Sequence, residues 1–260
     1  MADVTIGMDV LERYAGGVRE IAGISRDDLL MTLAAVDLRD RELVEDLVAG
    51  ACRAASQASA EYAAQFYRGM SILQTGRDFD ARALSAYDAQ ATLVAVRGIY
   101  RQARIDDDEY DEELLARLLA DRVEFEANRS SKVGVWRNGR ADSREVRYAR
   151  VPVGAETCAW CLMTAGLGYW FMTEEAASHT HAHCDCAIVP AIGGIHDVVI
   201  EGYDSTVYRD MWREANLALA TGNVPHDLSE RVERYAQTRE GYRTDTNGAL
   251  AVMRWKYGLK

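Results

Sequence analysis

Two cysteine pairs define the chemistry this chain can do. Cys158 and Cys161 form a C-x-x-C in CAWC, and Cys184 and Cys186 close HAHCDC, with His179, His181 and His183 just ahead of them. Four of the five cysteines and three of the five histidines fall between positions 158 and 186, and thiolates and imidazoles gathered this way are the ligands of a closed tetrahedral zinc site. C-x-x-C puts two sulfurs on one tight turn. Cys184 and Cys186 stand at i and i+2, on one face of an extended segment, so a returning strand offers one or both to the same ion. His181, three residues before Cys184, is a further ligand candidate. The set is therefore Cys158 and Cys161 with two from His181, Cys184 and Cys186; the spacing does not choose among these three. The competing readings are a pair of disulfides or plain buried thiols, and a reducing cytoplasm as the place of synthesis favours metal over disulfide.

A structural zinc is expected rather than a catalytic one, because soft ligands would fill the coordination sphere and leave no position for water. A zinc deaminase needs H-x-E before its P-C-x-x-C, and a zincin needs H-E-x-x-H; neither pattern occurs. The enzyme alternative is a zinc-dependent nuclease or hydrolase in which His179, His181 or His183 faces substrate. Glu124 and Glu126 are two apart, face different ways on a helix, and read as surface or ion-paired groups rather than an acid–base pair.

At Cys158, Cys161, His181, Cys184, Cys186 and Pro190, CAWC followed by HAHCDCAIVP resembles the C-x-x-C…H-x-x-C-x-C…P signature of phage minor head proteins of the phage Mu protein F type. RVPVGAET before the first cysteine, the long helix ahead of it and the GYD at 202–204 are also similar; the resemblance covers roughly residues 112–204. The family often has an arginine between the last two cysteines, where this chain has Asp185. The resemblance implies a low-copy virion protein with no enzyme activity. It implies association with the portal, and secondarily with the major capsid protein and packaged DNA, during head assembly or DNA packaging and ejection.

The elements that must position these residues are mostly helices. Hydrophobic residues make up 48% and charged ones 27%, ordinary for a globular chain. Only three prolines occur, at 152, 190 and 225, which permits long uninterrupted helices. The net charge of −11 argues against a protein that coats DNA, since phosphate binding needs a basic surface, and it suits a basic protein partner. The opening MADVTIGMDV lacks the basic and apolar regions of a secretory signal, and no run of 18 apolar residues exists, so neither export nor a membrane span is expected. No small-molecule substrate is expected.

The fold class expected is mainly α with a small β insert (α+β), long helices flanking a zinc-stapled two- or three-stranded sheet. Three regions follow: an N-terminal helical region over 1–110, the Cys/His domain over 111–200, and a short-helix region over 201–260. Residues 4–36 read as two helices, the first ended by Gly23 and the second capped by Ser25. Asp37 or Asp40 begins a long helix whose apolar stripe runs Leu43, Leu47, Ala51, Ala54, Ala58, Tyr62, Phe66, Met70, with Cys52 as a small buried hydrophobe; its small-residue middle allows close approach of another helix. Asp78 or Asp80 caps the next. The acidic run DDDEYDEE at 106–113 reads as a solvated loop before a helix over about 111–132, and NGRADS at 138–143 as a turn. VRYARV and AIVP read as strands entering and leaving the cysteine cluster, GYWFMT as a short aromatic strand or loop over it, and Trp160 as its shield from water. Glu174 and Glu175 read as a helix start. His196 reads as a surface or packed histidine. The closing helices begin at Asp204 or Ser205, at Asp227 or Ser229, and at Thr246 or Asn247, with stops at Gly222, Gly241 and Gly258. Arg243, Arg254, Lys256 and Lys260 then read as cations favoured at a helix end.

Overall fold

The computed structural model describes residues 4–106, 109–154, 157–170, 173–174, 179–181, 183–193, 198–238 and 244–259. The expectations for Glu175, His196, Gly241, Arg243 and Lys260 fall outside them, as do those for Phe171 and Met172 of the aromatic segment.

The fold is mainly helical with two-stranded sheets, the class expected. In chain order come β1 (Thr5–Ile6), α1 (Met8–Leu33), α2 (Arg41–Thr75), α3 (Ala89–Gln102), β2 (Arg104–Asp106), β3 (Glu109–Tyr110), α4 (Glu112–Ala141), β4 (Val146–Pro152), α5 (Ala159–Ala165), β5 (Cys186–Ile192), β6 (Val199–Ile200), α6 (Ser205–Ala220), α7 (His226–Thr238) and α8 (Thr244–Tyr257). Among the described residues no helix is long and apolar enough to cross a membrane.

The frame is the pair α2 and α4, with α1 laid across both. Asp40 caps α2 by accepting from the Leu43 N–H, and Gly76 ends it at φ +66°. The buried stripe of its first half is Val44, Val48, Cys52 and Ala55, one residue out of phase with the expected Leu43, Leu47, Ala51 and Ala54; Leu43 is 40% exposed. Alanine on both candidate faces leaves the phase to tertiary packing, and α4 decides it. At the close crossing Gly134 lies on Ala60 and Ala63: a Cβ there would stand 2.9 Å from the Ala63 Cβ.

α1 is one helix, not two. Gly23 sits in its interior at a cost of about 1 kcal/mol relative to alanine, outweighed by burial of Leu11, Tyr14, Val18, Ala22, Leu29 and Leu33 along one face. Residues 77–88 are not helical either. Asp78 does not cap a helix because Arg68 holds it in a bidentate pair at 2.5 and 2.7 Å. Side chains of α4 take the segment's backbone instead: Asn138 accepts from the Arg82 N–H and donates to its carbonyl, and Ser130 accepts from the Ala86 N–H. Asp88 then caps α3. Asn138 and Gly139, expected in a turn, are helical for the same reason, and Gly139 leaves room for the Tyr148 ring. The acidic run pairs in part as the β2–β3 hairpin before Asp111 caps α4.

β4 and β5 are antiparallel, in register from Val146↔Ile192 to Pro152↔Cys186. All of β5 is buried, which only a covered sheet permits. Gln74 of α2 donates to the Pro190 carbonyl and accepts from the Ile192 N–H, satisfying the free edge of β5 in place of a third strand. β1 pairs in parallel with β6, Thr5 opposite Val199. The helices α5 to α8 share a separate apolar cluster around Leu162, Ala215, Val252 and Met253.

Candidate metal centre

The cysteine cluster lies where the sheet meets α5. Cys158 is the N-cap of α5, its sulfur accepting from the Cys161 N–H at 3.4 Å, so a single turn sets both sulfurs side by side. Cys186 opens β5, and Cys184 precedes it by two in the segment leading in. Their sulfurs are 3.2 Å apart, on one face as the i, i+2 spacing requires. Cys161 is 3.8 Å from Cys184 and 3.4 Å from Cys186, and His181 Nε2 is 3.1 Å from the Cys158 sulfur. All five sequence-predicted ligands thus come together. They fall into two triads, Cys158–Cys161–His181 and Cys161–Cys184–Cys186, that share Cys161.

These distances test the chemistry. A disulfide needs sulfurs at about 2.05 Å, and all five cysteines are free. Zn–S bonds of about 2.3 Å at tetrahedral angles put ligand sulfurs roughly 3.8 Å apart. Separations of 3.2 to 3.8 Å between buried sulfurs therefore fit ligands gathered for one ion.

Buried together, the sulfurs cannot all be charged, and their mutual hydrogen bonds split their affinities for protons. Hydrogen bonding with Cys161 pulls the Cys158 thiol down to about 4 against the effect of burial, and His181 adds to this. Cys161 is pushed up by its hydrogen bonds with Cys158, Cys184 and Cys186, while Cys184 is pulled down by those with Cys161 and Cys186. Burial pushes Cys186 up. A metal ion, if bound, would take thiolates directly from such a cluster.

Sequence reading missed two buried cations beside the sulfurs. Arg150 of β4 is 1% exposed; its guanidinium donates to the Cys186 sulfur at 2.8 Å and lies 4.8 Å above the Trp160 ring. β4 and β5 explain the placement: Arg150 opposes Ile188, so Cys186 is its diagonal neighbour on the same face. Lys132 of α4, also buried, donates to the Thr180 hydroxyl at 3.1 Å. The one available signal was the position of the arginine within VRYARV, a segment read as a strand entering the cysteine cluster. Trp160 packs on the cysteines and stacks on the His179 ring at 3.8 Å, and burial lowers the His179 pKa.

His183 points away from the sulfurs. Its Nδ1 lies 3.0 Å from Glu124 on the face of α4. Glu126, two residues on, is fully buried between Arg122 and Arg129, as an ion-paired group; burial raises its pKa against the pull of Arg122. Glu174 pairs with Arg137 at 3.0 Å.

A family model described as "VG15 protein", a family of viral, phage-encoded gene products, matches residues 8–215, from the start of α1 into α6 and across the whole cysteine cluster. No curated protein and no solved structure matches the chain.

Proposed function

We propose that this chain, which belongs to the VG15 protein family, is a structural component of the phage particle: a minor head protein that docks at the portal and serves head assembly or the packaging and ejection of DNA. The observation that carries this reading is the cluster of buried Cys158, Cys161, Cys184 and Cys186 with partly buried His181, in the order and spacing that resemble phage Mu protein F. Four of the five would close a tetrahedral zinc sphere, leaving no position for a reacting water; such an ion supplies folding energy rather than turnover. The reading is thus of a binding protein, not an enzyme.

The ion would act as a clip. Cys158 starts α5, which packs with α6 and α8, while Cys186 starts β5, which packs on α1, α2 and α4. One zinc across them fixes the angle between the two clusters. With Arg150 and Lys132 beside it, the thiolate charge is offset inside the protein, and the surface remains acidic as a whole, suited to a basic partner.

Quantitative mass spectrometry of purified particles tests the function. The expected result is low-copy presence that scales with the portal protein; absence from particles, or a copy number that follows the major capsid protein, overturns it. Elemental analysis of the purified chain tests the clip separately. About one zinc per chain is expected, lost together with melting temperature in the Cys158→Ser/Cys161→Ser double variant.

A further inference from the structure

We infer that the chain carries a second, exchangeable divalent-cation site on the outer face of α4, formed by Asp121, Glu124 and His183 with the Asn128 amide beside them. It goes beyond the zinc clip: its donors are oxygen-rich and partly exposed, where those of the clip are sulfur-rich and buried.

Asp121, Glu124 and Asn128 stand at i, i+3 and i+7, one face of a helix. The segment between His181 and Cys184 brings His183 over that face. One ligand atom from each of Asp121, Glu124 and His183 lies within 4.8 Å of the other two. The imidazole Nδ1 is 3.0 Å from a Glu124 oxygen, and Nε2 is 3.9 Å from an Asp121 oxygen. The two carboxylates face one imidazole across a short gap, with the histidine 58% exposed, so positions remain for water on an ion held there.

Asn128 is the independent sign of an occupant. It is 3% exposed and lines a cavity of about 340 Å³ together with Glu124, His183 and Asp185. Its backbone carbonyl accepts from Ser131 and Lys132, but its side-chain amide makes no hydrogen bond to the described residues. An amide without a protein partner on a cavity wall is open to a polar ligand or to the water shell of one. Two carboxylates, an imidazole and an amide oxygen suit a borderline-to-hard divalent ion such as Mn²⁺.

Two cations limit the affinity. Arg26 donates to an Asp121 oxygen at 3.4 Å, and Arg19 lines the same cavity. The site is accordingly one that exchanges its ion, in contrast to the clip.

The test uses the full chain with its tightly held zinc retained and loosely held metal removed by chelator wash, titrated with Mn²⁺ and read by electron paramagnetic resonance of the free ion. The expected result is one saturable equivalent at concentrations below about 1 mM. Asp121→Asn and His183→Gly should each weaken it by about tenfold or more, with tightly held zinc unchanged. Glycine is chosen at 183 because His183 has φ +60°, which glycine adopts freely, so folding is preserved. No saturable Mn²⁺ binding in that range, or binding undiminished in both variants, overturns the proposal.

Discussion

Cys161 belongs to both triads, so its thiol is the one that joins them. Cys161→Ser is expected to abolish tight zinc binding, as read by elemental analysis, whereas loss of one of the alternative ligands leaves a weakened site. Arg150 acts through Cys186: Arg150→Met, which keeps the stem and removes the donor, should lower zinc affinity about 10–100-fold in a competition titration against a chelator. Away from the cysteines, Asp142 gives a pH signature. Burial alone would raise its carboxyl, but hydrogen bonds from Arg144 and Tyr67 outweigh that and hold it below 3.8. A depressed carboxylate contributes stability that is fully present above 3.8 and lost as pH falls through the folded value. Asp142→Asn should therefore cost about 1–3 kcal/mol at pH 7, with the difference from the parent chain shrinking under strong acid, as read by urea denaturation at both pH values. At this scale the cysteines and His181 were legible because their types are rare and their spacing is informative. Arg150 and Lys132 were not: in a sequence a buried cation looks like any surface cation until the strand pairing and the neighbouring thiols are known.

Among the elements, the crossing of α2 and α4 depends on the absence of a side chain at Gly134. Gly134→Leu is expected to lower stability by about 1–3 kcal/mol, overpacking outweighing the roughly 1 kcal/mol gain in helix propensity, with thermal melting as the readout. The small-residue run of α2 announced a close helix neighbour but not which of its faces meets that neighbour, since alanines occupy both. Local signals also set boundaries that tertiary contacts moved. Gly23 was not a stop because the apolar face continues through it. Asn138 and Gly139 were not a turn because an extended segment and a tyrosine ring need them in the helix. Of the expected helix starts, Asp40, Asp111 and Asp204 hold, each accepting from a backbone N–H two or three residues on. Ser25 instead lies inside α1, Asp78 starts no helix, and the last two helices begin at His226 and Thr244, ahead of Asp227 or Ser229 and of Thr246 or Asn247.

For the molecule as a whole, two apolar clusters around α1, α2, α3, α4 and the β4–β5 sheet stand apart from a third formed by α5 to α8, with the cysteines between. On the zinc reading, stripping the ion with a chelator should raise hydrogen exchange at α5 and at the Cys186 end of β5 while α2 and α4 keep their protection. Uniform loss across the chain would instead mean that the ion holds one cooperative unit. The class of fold was readable from scarce prolines and helical periodicity, but the division into clusters was not, because it depends on which helix faces meet. The parallel pairing of Thr5 with Val199 adds a matter of timing. At roughly 5–20 residues per second, a ribosome takes about 10–40 s to deliver the second strand after the first. Throughout that interval Ile6, buried in the finished protein, has no strand partner to lie beside, so the first element made is among the last to be completed.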